Sequence, residues 1–108
     1  MIVEMRVYYC EPTRLPALLD RFRNITLGFF DHYGIEQIGF WTTLVGADNH
    51  SLTYLLKWDS MAQREQVWNA FQADEDWIRR RGETEAERPI VTRVENSFLA
   101  PTDFSALR

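Results

Sequence analysis

Positions 2–10 alternate. Val3, Met5, Val7 and Tyr9 fall on one side of an extended chain, and Glu4, Arg6 and Tyr8 fall on the other. β-Branched and aromatic residues dominate, so the period of two predicts a strand over Ile2–Cys10, broken by Glu11-Pro12-Thr13. The period then changes. Leu15, Leu18, Leu19, Phe22, Ile25, Thr26, Phe29, Phe30 and Tyr33 form one stripe at helical spacing, with Asp20, Arg21, Arg23, Asn24 and Asp31 off it. This predicts a helix capped by Thr13 and running to about Tyr33. Pro16 falls in its first turn and Gly34 at its end. Ile35–Val45 and Ser51–Trp58 read as a hairpin turning at Gly46-Ala47-Asp48-Asn49. Ser60 with Gln63 makes a capping-box pattern for a helix to about Ala73. Asp74–Glu87 reads as a short, charged helix, and Ile90–Leu99 as a fourth strand.

The order is β-α-β-β-α-β. With right-handed crossovers it gives an α+β, ferredoxin-like domain over residues 1–99, followed by a tail at 100–108. The sheet is four-stranded and antiparallel, with its helices on one face. Its other face should then be polar, yet the middle strands offer no polar parity. Ile38, Phe40, Thr42 and Leu44 oppose Gly39, Trp41, Thr43 and Val45; Leu52, Tyr54, Leu56 and Trp58 oppose Thr53, Leu55 and Lys57. Contiguous apolar surface of that extent needs a cover. A second copy packed by a two-fold axis supplies one, closing a dimeric α/β barrel. The alternative cover is the tail, through Phe104 and Leu107, and the tail could also clasp the partner.

Composition narrows the function classes. The chain has 108 residues, a net charge of −4 and a single cysteine. One cysteine forbids an internal disulfide. Acidity argues against a nucleic-acid binder, and the one basic run, Arg79-Arg80-Arg81, is followed by Glu83, Glu85 and Glu87 as on a solvated helix end. No apolar run has membrane-spanning length and the N-terminal residues do not read as a signal peptide, so the expected setting is the cytoplasm, without a membrane partner.

Three of the four tryptophans, Trp58, Trp68 and Trp77, lie within 24 residues. Met61, Val67, Trp68 and Phe71 share a helical stripe, which makes Trp68 a core residue; Trp58 ends a strand at core or rim; Trp77 would pin the charged helix to the domain. Arg64 interrupts the stripe. It either lays its stem on the apolar surface or forms a structural salt bridge to a neighbouring element. The stretch Tyr54–Trp58, Asp59-Ser60, Ala62-x-Arg64-Glu65, Trp68-x-Ala70-Phe71 and Asp74-x-x-Trp77 resembles the NIPSNAP family, as do Glu4-x-Arg6-x-Tyr8 and Gly39-Phe40-Trp41-Thr42-Thr43 with Gly46. The likeness spans about residues 2–99 and departs at Glu75, where the family commonly has proline. It implies the dimeric α/β-barrel superfamily, which includes cofactor-independent monooxygenases, lactone isomerases and haem-dependent enzymes. It implies no established activity.

Candidate chemistry is sparse. His32 and His50 are isolated, no spacing suggests a metal site, and no fingerprint suggests a nucleotide or other cofactor. Cys10 reads as a packed thiol. The polar constellation is Glu4, Arg6 and Tyr8, expected to point away from the helices into the barrel, with Trp41, Thr43 and Tyr54 completing a pocket. Arg6 would hold a carboxylate or enolate, Glu4 would act as base, and Tyr8 would donate to an oxyanion. The competing reading pairs Glu4 and Arg6 with Arg93 and Glu95 as cross-strand ion pairs. Three functions follow: a homodimer binding a small, partly apolar anion; an enzyme without metal or nucleotide, doing proton transfer or monooxygenation; or an assembly module with no ligand.

Overall fold

The computed structural model describes residues 1–108. Strands β1 (Ile2–Cys10), β2 (Glu36–Thr42), β3 (Ser51–Trp58) and β4 (Val91–Leu99) form one sheet in the order β2-β3-β1-β4. Every neighbouring pair is antiparallel. Two crossovers carry the helices: α1 (Leu15–Arg21), a π-helical turn (Phe22–Thr26) and α2 (Leu27–Tyr33) form one arm, and α3 (Met61–Gln72) and α4 (Glu75–Thr84) the other two. This is the ferredoxin-like arrangement that the pattern predicts. No helix is long and apolar enough to cross a membrane.

Local signals explain most boundaries. Gly34 adopts φ +69° and ends α2 as a left-handed cap. Ser60 Oγ accepts from the Gln63 N–H, and the Gln63 side chain accepts from the Asp59 N–H. Asp74 accepts from the N–H groups of Asp76 and Trp77 at the start of α4. Thr13 does not cap α1. It takes φ +74°, Arg14 stands at the cap position, and Thr13 Oγ1 accepts instead from Arg88. Strand β2 is shorter than Ile35–Val45: Ile35 is a buried residue before it, and Leu44 and Val45 are exposed in the connection.

The helix-facing side of the sheet carries the core. Leu52, Tyr54, Leu56 and Trp58 of β3 meet Leu18, Phe22 and Phe30 of the first arm, and Trp68, Phe71 and Trp77 of the other two. Register fixes what else lies on that side. Arg6 pairs with Tyr54, Glu4 with Leu56 and Tyr8 with Leu52. Glu4, Arg6 and Tyr8 therefore face the helices, not the uncovered side. The expected facing of β1 is reversed, and Met5, Val7 and Tyr9 belong to the uncovered side with Leu55, Trp41 and Leu99. The molecule is only 19 Å thick in its shortest dimension, one sheet and one helix layer. The tail does not cover the bare face with its aromatic residue, since Phe104 remains 84% exposed.

Candidate functional site

Glu4 has no solvent exposure. Its carboxylate accepts from Arg6 at 2.9 Å, from Trp58 Nε1 at 3.1 Å, from Arg64 at 3.1 and 3.0 Å, and from Asn96 at 3.0 Å. Burial alone would raise its pKa; the hydrogen bonds from Arg64, Asn96 and Arg6 outweigh that and hold it below the ordinary carboxylate value. Arg64 thus forms the salt bridge, tying α3 to β1. Glu4 is a structural anion joining β1, β3, β4 and α3, and it is not placed to act as a base. The cross-strand ion pairs do not form either. Arg93 pairs with Glu95 on β4, over the Tyr9 ring on the other face of the sheet.

Arg6 extends from this hub. Its guanidinium lies 4.5 Å from the Trp68 ring centroid, and its Nε donates to Tyr54 Oη at 2.9 Å. Burial works against its charge, but Tyr54, Tyr8 and Glu4 together raise its pKa. Tyr54 is fully buried; burial first and Tyr8 second push its phenol well above the ordinary value, so it remains a donor. That proton goes to Tyr8 Oη at 2.9 Å, and Arg6 also donates to Tyr8 Oη at 3.4 Å. Tyr8 accepts twice and has no acceptor in the chain for its own hydrogen.

Tyr8 and Arg6 line a cavity of about 400 Å³ between the sheet and the three helical arms. Its walls are aromatic: Phe22, Phe30, Trp68, Phe71 and Trp77. Its polar groups are mostly donors. Arg21 is buried, and donates to Glu85 at 3.0 Å and to Thr84 at 3.3 Å. Glu85 accepts as well from the Ile90 N–H at 2.8 Å; burial would raise its pKa, and the Ile90 and Arg21 bonds outweigh it. The Nε of Arg21 and the indole N–H of Trp77 are buried with no partner in the chain. Arg81 lies at the exposed edge, 6.0 Å from the Trp77 ring. Three arginines thus stand against one saturated carboxylate, in a chain whose net charge is negative.

The structure brings together four of the six pocket candidates: Glu4 behind the site, Tyr54 beneath it, and Arg6 and Tyr8 in its wall. Trp41 is on the opposite face of the sheet, its ring packed over Gly39, where an added Cβ would lie 2.7 Å away. Thr43 lies beyond β2, 3.4 Å from the Ser51 hydroxyl. Trp68 and Trp77, read as packing residues, pack and also line the cavity. Arg21, Thr26 and Arg81 were not legible as site residues. Arg21 stands just before the π turn and Thr26 ends it; the turn's longer period brings residues five apart onto one side, and the Thr26 hydroxyl donates back to the Arg21 carbonyl. The only signal for Arg21 is its place three residues after Leu18 and four before Ile25, at the edge of the apolar stripe. His32 is exposed, and no group of three His, Cys, Asp or Glu side chains could hold a metal ion.

A four-stranded antiparallel sheet with its helices on one face and a donor-lined cavity beneath them defines a ferredoxin-like α+β protein. The NIPSNAP family model matches residues 3–106, and the chain belongs to that family. It is similar to an uncharacterized NIPSNAP domain protein from Burkholderia xenovorans, at 26% identity, covering 97% of this chain and 98% of that one, with a TM-score of 0.84. A NIPSNAP family protein from Agrobacterium tumefaciens shares 23% identity over 99% and 98% of the two chains, with a TM-score of 0.88. A dimeric ferredoxin-like protein from an uncultured marine organism shares the fold at 9% identity, a TM-score of 0.65 and 96% coverage of each chain. Among curated proteins no match to the sequence is found.

Proposed function

We propose that this NIPSNAP-family chain is a binding protein. It holds a small, partly apolar anion between its sheet and its helices, and it works as a homodimer joined through the uncovered sheet face. The cavity carries the first part: aromatic walls, arginines and donors with spare hydrogens, and no carboxylate free to repel an anion. The same observation favours holding over proton-transfer catalysis. Glu4 and Glu85 are both locked as anions by their donors, so neither is free to take a substrate proton.

The bare face supports the second part. Met5, Val7, Leu55, Trp41 and Leu99 share it, and a soluble sheet with that composition is stable when another sheet packs against it. The likeness to a dimeric ferredoxin-like protein supports the same geometry at the level of the fold.

Native mass spectrometry of the purified protein tests both parts together. The expected result is twice the chain mass with a small, reproducible adduct, or uptake of added octanoate or 2-naphthoate. A bare dimer that takes up neither anion would overturn the binding function and leave an assembly module. A monomer at micromolar concentration would overturn the paired sheets.

A further inference from the structure

The donor inventory of the cavity narrows the ligand class, an inference that rests on the binding function just proposed. Charge comes first. Arg6 and Arg64 share one carboxylate, Glu4, so this trio, in which Glu4 and Arg6 are buried and Arg64 is partly exposed, is left with one positive charge. Arg21 is matched by Glu85. Arg81 sits at the exposed edge, where water and salt screen it. One uncompensated charge beside the cavity calls for a monoanion, whereas a dianionic phosphate would bring a second charge with no partner away from solvent.

Hydrogen-bond direction comes next. Tyr54 is sealed in the core and accepts from Arg6 Nε, so its own proton must go to Tyr8. Tyr8, already accepting from Tyr54 and Arg6, has one hydrogen left, and it lines the cavity. Arg6 uses one N–H each for Tyr54, Glu4 and Tyr8 and keeps two of its five. Donors of this kind match the lone pairs of a carboxylate. The walls then select the body of the ligand. Five aromatic residues, two of them tryptophans, offer ring faces and edges that pair with a flat π-system better than with an alkyl chain.

We infer that the cavity takes an aromatic monocarboxylate, with the carboxylate received by the Tyr8 hydroxyl and the spare N–H groups of Arg6, and the ring lying among Phe22, Phe30, Trp68, Phe71 and Trp77. Tyr8 is the residue that reads the acid group; Tyr54 fixes the direction of its hydrogen.

Calorimetric titration of the full chain with 2-naphthoate, octanoate, 2-naphthyl phosphate and naphthalene tests this. 2-Naphthoate is expected to bind most tightly. Tyr8→Phe keeps the ring packed on Phe22 and Tyr54 and should weaken 2-naphthoate about ten- to hundredfold, the worth of one charge-assisted hydrogen bond, while naphthalene affinity stays the same. Tyr54→Phe should weaken it less, because Tyr8 retains its own hydrogen. Equal binding of octanoate or of the phosphate overturns the aromatic-monocarboxylate class but leaves anion binding standing. A parallel loss of naphthalene in Tyr8→Phe, or an equal loss in both variants, reduces Tyr8 to a packing residue and overturns its role. No binding of any anion overturns the binding function itself.

Discussion

Glu4 shows how one side chain can reverse the reading of a strand. On an isolated strand, Glu4-x-Arg6-x-Tyr8 marks the polar side, and polar sides normally meet water. Here Arg64 reaches down from α3, and Trp58 and Asn96 close in from neighbouring strands, so the carboxylate is fully compensated in the interior. Glu4→Gln removes the charge and leaves two arginines without their counterion, so urea unfolding should show a loss of about 3–5 kcal/mol. The pH dependence follows in sign. The folded pKa of Glu4 lies below its unfolded value, so its contribution is complete above the ordinary carboxylate range and is lost as pH falls through the folded pKa. Thermal melts from pH 6 to pH 3 should therefore fall more steeply in the wild type than in Glu4→Gln; parallel curves would contradict this. Cys10 behaves oppositely. Burial pushes its thiol up to about 11, so a disulfide reagent at neutral pH should label it only after denaturation.

At the scale of elements, the short-range code is legible wherever it is chemical. Ser60 with Gln63, Asp74 before α4 and Gly34 after α2 act as their residue types dictate. Ser60→Ala should cost about 1 kcal/mol in urea titrations, the usual worth of a cap. Asp74→Ala should lower the melting temperature further, because Asp74 also accepts from Tyr33 Oη at 2.6 Å and so joins α2 to α4. A smaller effect at Asp74 than at Ser60 would show that this tie does not contribute. The π turn was not legible. Its sequence, Phe22–Thr26, fits an ordinary helical stripe, and only the structure shows the added residue per turn that sets Arg21 and Thr26 on the cavity.

For the whole molecule, the bare sheet face is the decisive feature. Leu55 lies opposite Met5 near the middle of that face. Leu55→Glu places a charge where the proposed partner sheet packs, and light scattering should then show a monomer, with far-UV circular dichroism unchanged because the helix-side core is untouched. A Leu55→Glu protein that remains dimeric would place the pairing surface elsewhere. Val94 and Phe98 on the helix side of β4, both more than a third exposed, would be the next surface to test.

Apart from the π turn, the cap of α1 and the ends of β2, the sequence by itself determined the elements, their order and hence the topology, because alternation, helical stripes, caps and turn residues act over a few positions, and right-handed crossovers leave few ways to join them. It also carried the residues of the charge hub, without saying which way they point. Only the tertiary structure decided the facing of β1 and the place of the cavity. The reason is distance along the chain: Glu4 finds Trp58, Arg64 and Asn96 at separations of 54, 60 and 92 residues. Burying a carboxylate is unfavourable until all of those partners arrive together, and no local pattern reports that they will.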